Sequence, residues 1–421
     1  MGKDRVIVFG VDSPIGLSII RELGKFGVDV YGVGRSHRSI GLYSRYLSKN
    51  LILPRTLSDR EIIAEINGIA LEHDIRYLIT VAESDISFFN HNRAALKGLT
   101  CLFADSNKMA TVLSKERTYA IAQGIGIAIP KVYEIACIDD LHKIAGQIRY
   151  PLVLKWSNPH DVSQLLRRHR LPSFKMKYCY NEDELRELLN TFEPIGVYPL
   201  IQSYCPGYGL GHMIFMHRGK ALLTFQHRRL HEWPPEGGSS ALCISLGPDE
   251  HASVMKKSIE LLRAIEWEGA AMVEYRHDPD SNTTVLMEIN GRFWGSLPLA
   301  FHAGAPFAWY TYAVLGKGLI PSHKPYKIGL RCMYAIPDLK RLYLILFNQK
   351  QIQNRHIKFN KIKETASSIY YLFNFKTRFY VFMATDPMPL LKDLQFIFQK
   401  IFNNSYSSFV SFTKKIPKKI L

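Results

Sequence analysis

Two apolar runs, each ending on a glutamate, constrain this chain more than any other feature of it. Ala270-Ala271-Met272-Val273 leads into Glu274, and Val285-Leu286-Met287 leads into Glu288, with Asn290 and Arg292 following at two-residue spacing. Side chains alternate along a strand, so Glu288, Asn290 and Arg292 are expected on one face. The intervening Asp278-Pro279-Asp280-Ser281-Asn282 reads as the turn of a hairpin, which sets Glu274 beside Glu288.

Two carboxylates, an amide and a guanidinium make a poor core, because burying a charge costs several kcal/mol unless it is paired or metal-bound. They suit magnesium and phosphate. Magnesium takes one or two carboxylates together with phosphate oxygens and water, and Arg grips phosphoryl oxygens in a bidentate manner. The alternative is an exposed hairpin whose Glu and Arg pair in water, although solvated hairpins seldom carry such apolar strands on both sides.

In this segment the chain resembles the ATP-grasp ligases. The resemblance implies that Glu274, Glu288 and Asn290 hold the magnesium (or manganese) ions bridging ATP phosphates, and that Arg292 contacts the transferred phosphoryl group or an acyl phosphate. It also implies an α/β chain with an N-terminal Rossmann-like (pre-ATP-grasp) domain over 1–112 and an ATP-grasp α+β domain over 113–330. A basic, aromatic, helical segment over 331–421 would follow.

A length of 421 residues calls for more than one core. With 47% hydrophobic and 22% charged residues, global disorder is excluded. The six cysteines show no CxxC or CxxH spacing, which argues against a zinc site or a disulfide framework and for a reducing cytosol. No run of about 18 apolar residues suggests a transmembrane helix. The expected location is cytoplasmic, or peripheral at the inner face of the membrane.

Residues 1–112 alternate strand and helix: Val6 to Phe9, Ile15 to Phe26, Val28 to Val33, Asp59 to His73 and Tyr77 to Val81, the pattern of a doubly wound parallel sheet. The turn Gly10-Val11-Asp12-Ser13-Pro14 could offer backbone amides to a phosphate. It lacks GxGxxG spacing, and Asp12 puts a carboxylate where a pyrophosphate would sit, so a dinucleotide-dependent oxidoreductase is a weaker alternative. Glu83 and Asp85, after the strand ending at Val81, are candidates for a substrate amine, the alternative being capping of the following helix by Ser84 or Asp85.

Further along, the resemblance assigns phosphate contacts to Lys115 or Arg117, at the start of a helix, and to Lys155, which interrupts an apolar strand. An ammonium there needs an anionic partner. Lys175 or Lys177 could also point into the nucleotide cleft. Gln202 and Tyr204, on the hinge strand, and Leu286 complete the implied nucleotide contacts. The chain departs from the family pattern in three places. No glycine-rich loop follows Lys155, where Arg167, Arg168, His169 and Arg170 stand; Ser203 replaces a hinge acid; and no acid follows Gly207. The stretch from Gln226 to Ser240 reads as a loop whose Gly-Gly-Ser-Ser can wrap an oxyanion, with Arg228 and Arg229 near the phosphates and His231 a weaker candidate. His302 reads as a core or rim residue.

The net charge of +17 is concentrated at the end of the chain. From Ile336 to Leu421 there are 15 Lys and Arg against 4 Asp and Glu. The Leu391 to Phe402 stretch has helical apolar spacing with lysines at its edges, and the chain ends in Lys414-Lys415-Ile416-Pro417-Lys418-Lys419. Such a segment can lie on an anionic bilayer, pack as a helical module, or, less readily, bind nucleic acid.

The resemblance therefore implies an ATP-dependent carboxylate–amine ligase that works through an acyl phosphate and takes small-molecule carboxylate and amine substrates. A homodimer is an open option. The competing reading is a degenerate nucleotide-binding or scaffold protein without turnover.

Overall fold

A computed structural model of the protein describes residues 4–322 and 324–413, without the side chains of 159–161 and 401–413. The chain forms two compact units, one of residues 1–102 with 379–421 and the other of residues 103–378.

The first unit is built on a five-stranded parallel sheet: β1 (Arg5–Phe9), β2 (Asp29–Gly34), β3 (Leu47–Ile52), β4 (Tyr77–Thr80) and β5 (Thr100–Cys101), in the order β3-β2-β1-β4-β5. Its helices are α1 (Pro14–Lys25), α2 (Asp59–Glu72) and α3 (Glu83–His91). Val6, Ile7, Val8, Val30, Val33, Leu78 and Ile79 are fully buried. A parallel strand covered on both faces reads as such a continuous apolar run. Helix α2 starts with a capping box, Ser58 with Glu61.

In the second unit, α4 (Ser106–Leu113) and α5 (Lys115–Gly124) lead into a four-stranded antiparallel sheet. Its strands are β6 (Val132–Tyr133), β7 (Leu152–Lys155), β8 (Lys177–Cys179) and β9 (Leu200–Ser203), ordered β6-β9-β7-β8. Helices α6 (Leu141–Ile144), α7 (Pro159–Arg168) and α8 (Glu182–Asn190) belong to this layer. The larger sheet holds β10 (Tyr208–His217), β11 (Lys220–Trp233), β12 (Ser239–Ser245), β13 (Gly269–Asp278), β14 (Thr283–Asn290), β15 (Arg331–Met333) and β16 (Thr377–Phe379), ordered β14-β13-β10-β11-β12-β15-β16. Around it lie α9 (Ala252–Ala264), α10 (Leu297–Ala303), α11 (Phe307–Tyr310), α12 (Ala335–Phe347) and α13 (Lys361–Phe373).

The segment expected as one piece over 331–421 is divided between the units. Residues 331–378 add β15, α12 and α13 to the second. The remainder returns to the first, where α14 (Met388–Thr413) follows a buried anchor. Asp386 accepts from Arg21 Nε at 2.9 Å, from Ser44 Oγ at 2.8 Å and from the Arg45 amide at 2.9 Å; Arg21 also donates to the Val381 carbonyl at 2.8 Å. Arg21 and Asp386 are both 1% exposed. Along α14, Phe396 packs 6.0 Å from the Tyr43 ring and Lys392 lies over the same ring. This helix is a docked element, and the Lys414 to Lys419 tail lies outside the described residues.

Candidate functional site

The β13–β14 hairpin forms in the expected register, with Glu274 directly opposite Glu288. Pairing continues the row across the sheet, from Glu274 to Gly211 on β10 and from Gly211 to His227 on β11. Cross-strand partners share a face, so this row defines the site surface. Gly209, two residues before Gly211, belongs to the same face. A Cβ on Gly209 would lie 2.7 Å from Arg229 Cδ, and one on Gly211 would lie 3.2 Å from the His227 ring. The missing side chain at Gly209 lets Arg229 cross β10, while the one at Gly211 makes room for His227 and Met213. Arg229 Nη2 reaches 2.6 Å from Glu274 Oε2, and Glu232 is 3.7 Å from its Nη1.

Asn290 Nδ2 donates to Glu288 Oε1 at 3.4 Å, and Arg292 Nη2 donates to Asn290 Oδ1 at 3.0 Å. Among the described residues no cation lies within ion-pairing distance of Glu288. Glu288 and Asn290 share a face as expected, but only Glu288 lines the cavity: Asn290 is buried beside it, and Arg292 lies beyond the strand end and holds the Phe293 carbonyl as well as Asn290.

The smaller sheet faces the carboxylates with a second row. Val153 pairs with Tyr178 on one side and Gln202 on the other, and Lys155 follows Val153 by two. All four line one cavity with Lys115, Lys175, Met176, Tyr204, Arg229, Glu236, Gly237, Glu274, Arg276, Met287 and Glu288. Gln202 donates to Tyr119 Oη at 3.3 Å, which donates to the Met287 carbonyl at 3.0 Å. Asn354 donates to Tyr204 Oη at 3.2 Å, so the 331–378 stretch backs the aromatic wall.

Several expected contacts move by one or two residues, each for a backbone reason. Lys177 pairs with Leu154, whose side chain is in the core, so it faces away and Lys175 enters the cavity instead. Leu286 has the parity of Glu288, but the register shifts between Glu274 and Tyr275, placing Leu286 opposite Tyr275; it is fully buried, and Met287 lines the cavity. The predicted loop at 226–240 is β11 as far as Trp233. Alternation therefore puts Arg228 on the other face, 5.1 Å over the Tyr208 ring, and Arg229 in the cavity. His231 is 6% exposed, between Asp338 Oδ1 at 2.6 Å and Ser367 Oγ at 3.1 Å, and joins α12 and α13 to β11. Lys115 lines the cavity, whereas Arg117, two residues on and so on the opposite side of the helix, is exposed.

Where a glycine loop was missing from the sequence, the chain builds α7. Val162 and Leu166 pack with Trp156 and Phe192, leaving Arg167, Arg168, His169 and Arg170 exposed and off the cavity. The cavity has a glycine in its lining at the turn before β12. Gly237 has φ +128°, a left-handed conformation that favours glycine, and Tyr178 Oη donates to the neighbouring Glu236 carbonyl at 2.6 Å. Ser203, in place of a hinge acid, accepts from the Lys131 amide at 2.9 Å.

The charges of the site act on one another. Burial pushes the Glu274 carboxyl upward, but Arg229, helped by Lys175 and Lys155, overcomes it and holds the group below its ordinary value. Burial also disfavours a charged Arg229, and Glu274 and Glu232 raise it in return. Lys155 is lowered chiefly by burial, with Lys115 and Lys175 pressing the same way against Glu288 and Glu274. A buried ammonium pressed by two others favours anionic partners. Burial and then Arg229 push His227 down to about 3, so it is a neutral partner of Ser296, 2.7 Å away.

In the first unit, Gly10 and Val11 donate their amides to the Val33 carbonyl at 2.9 and 3.2 Å. Asp12 accepts from the Arg35 amide at 3.0 Å and from Ser39 Oγ. A phosphate at this turn would find those amides used and a carboxylate present. Ala82 is the N-cap of α3, so neither Ser84 nor Asp85 fills that role, and burial pushes Asp85 up to about 6 against the pull of Arg35 and Arg55.

The family model for the ATP-binding domain of the carbamoyl-phosphate synthase L chain matches residues 240–318, the segment that contains the carboxylate hairpin. The chain has the ATP-grasp fold. Similar solved structures include the biotin carboxylase domain of Hydrogenobacter thermophilus 2-oxoglutarate carboxylase in complex with MgADP, ADP and bicarbonate, at 14% identity and TM-score 0.60 over 78% of this chain and 73% of that one. A Campylobacter jejuni biotin carboxylase bound to a β,γ-ATP ligand is similar at 14% identity and TM-score 0.61, over 78% and 74%. An L-amino acid ligase from Bacillus licheniformis is similar at 16% identity and TM-score 0.53, over 76% and 78%. No curated protein sequence matches the chain. In ATP-grasp terms, the cavity lies between the two sheets of the second unit. Among the described residues no helix is long and apolar enough to cross a membrane.

Proposed function

We propose that the ATP-grasp unit binds magnesium ATP and that the protein joins a small-molecule carboxylate to an amine. The observation that carries this reading is the convergence of Lys115, Lys155, Lys175 and Arg229 on a cavity that also holds Glu274 and Glu288 in direct register. The donor set fits magnesium, since the facing carboxylates of Glu274 and Glu288 line the cavity and leave room for phosphate oxygens and water, with Asn290, outside the lining and bonded to Glu288 and Arg292, supporting Glu288. When bound, the ion would draw charge from the phosphates and make ADP a better leaving group.

The chain's own residues supply positioning and charge. Lys115, Lys155 and Lys175 hold the phosphate chain, while Val153, Met176 and Met287 give adenine apolar walls beside Gln202 and Tyr204. Arg229 stabilises charge at the transferred phosphoryl group, and Arg292 fixes the Asn290 amide. The substrate carboxylate attacks the γ-phosphorus as the bond to ADP breaks; the amine then attacks the acyl carbon, inorganic phosphate leaves with the electron pair, and the amine proton passes to solvent or phosphate. Such chemistry needs no nucleophilic side chain. The partners are thus small molecules, with peripheral contact at an anionic membrane as the proposed setting.

One observation favours a second reading, a nucleotide binder without turnover: α7 stands where ATP-grasp ligases resembling this chain place a glycine lid. The test is incubation with magnesium ATP and pooled organic acids and amino acids. The ligase reading expects ADP and a product whose mass is acid plus amine less water. ATP-dependent heat protection with no ADP would favour the binder.

A further inference from the structure

The basic end of the second unit carries a feature that the nucleotide cavity does not use. Residues 317–378 contain 13 Lys and Arg and only 2 Asp and Glu. Both acids are committed within the fold, Asp338 to His231 and Glu364 to Arg341. The outward field of this stretch therefore has one sign.

A groove of about 590 Å³ gathers Lys327, Arg331, Lys376 and Arg378, with no carboxylate in its lining. Lys327, Lys376 and Arg378 are exposed. Arg331 lies 5.6 Å over the Tyr371 ring, and its Nε is buried without a partner. One wall is a fixed turn: α13 ends at Phe373, Asn374 Oδ1 accepts from the Lys376 amide at 2.8 Å, and β16 begins at Thr377. That turn holds Phe373 at 76% and Phe375 at 90% exposure, and Ile328 and Tyr370 are exposed beside the same groove.

Aromatic side chains left in water among unpaired cations match an anionic bilayer surface on both counts. The cations meet lipid phosphates, and the rings enter the boundary between headgroups and acyl chains. A soluble small anion would use the cations and leave the rings exposed. A nucleic acid would stack on the rings but has no use for Ile328 or for Ile362, which is 82% exposed on the adjoining α13.

We propose that this groove and its apolar rim dock the protein on an anionic phospholipid bilayer. Lys327, Arg331, Lys376 and Arg378 face the headgroups, and Phe373 and Phe375 insert among them. The inference rests on this surface alone and stands or falls apart from the ligase reading.

The test is co-sedimentation of the full chain with phosphatidylcholine vesicles with and without phosphatidylglycerol. Binding is expected only with the anionic lipid and should weaken at high salt. Charge reversal in K376E/R378E and ring removal in F373S/F375S should each lower vesicle partition by about tenfold or more, with melting temperature and any ADP formation unchanged. The single variant F375S, at the most exposed ring, serves if a double variant misfolds. Absence of wild-type binding to anionic vesicles, wild-type partition in both variants, or binding to single-stranded nucleic acid in place of vesicles would each overturn the proposal.

Discussion

Arg229 reaches Glu274 across a strand that has no side chain between them. Strand β10 separates β11 from β13, and its Gly209 leaves the space through which the guanidinium comes to 2.6 Å from the carboxylate, which stands opposite Gly211. The pair is buried, with side chains 9% and 16% exposed. Arg229→Met should therefore strand a buried carboxylate and destabilise the protein by about 3–5 kcal/mol. Adding Glu274→Gln should restore much of that loss, and a double-mutant cycle in urea measures it. Two additive losses would contradict the coupling.

Gly209→Ala tests the same passage from the other side. The new Cβ would meet Arg229 Cδ at 2.7 Å and Glu232 Oε1 at 2.8 Å. The long side chain can yield, so the fold should lose only about 1–3 kcal/mol, but the Arg229–Glu274 pair would be displaced. Nucleotide-dependent heat protection should fall more than the melting temperature does.

Two buried histidines set an acid limit on the second unit. Burial lowers His212 and His227 from 6.5 to about 3. The unfolded chain takes up these protons near the ordinary value while the folded chain refuses them until about 3, so stability falls as pH drops through that window. At pH 5 each contributes a loss of roughly 2 kcal/mol, which urea unfolding at pH 7 and pH 5 would register. His227→Gln should flatten the slope.

The return of the C-terminus to the first unit depends on Asp386. Its carboxylate takes Arg21, Ser44 and the Arg45 amide, with Arg21 fully buried. Asp386→Ala leaves that guanidinium without its counter-charge and should cost about 3–5 kcal/mol. Limited proteolysis should then cut near Met383 before the rest of the unit unfolds.

Much of this arrangement was legible where local chemistry decides it. The parallel sheet follows from runs such as Val6 to Phe9, and the hairpin from two apolar runs around Asp278-Pro279-Asp280. Glu274, Glu288, Lys115, Lys155, Gln202 and Tyr204 all come to one cavity. What failed was parity. A strand side chain changes face with every residue, so one bulge near Tyr275 moved the contact from Leu286 to Met287. A strand that outran its expected end exchanged Arg228 for Arg229. The Gly209-x-Gly211 pair was the available signal, since alternate glycines on a strand mark a close crossing. The split of residues 331–421 was not legible, because Asp386 and Arg21 are joined by tertiary packing 365 residues apart in the chain.

Release of ADP by wild-type protein and by Glu288→Gln, with magnesium ATP and the pooled acids and amines, tests the central claim most directly. The wild type should form ADP, and the variant, with an unchanged melting temperature, should lose about 10²–10⁴-fold, because the neutral amide removes one of the two carboxylate charges that hold magnesium. Equal rates from the two proteins, or no ADP from a folded wild type across the whole pool, would contradict it.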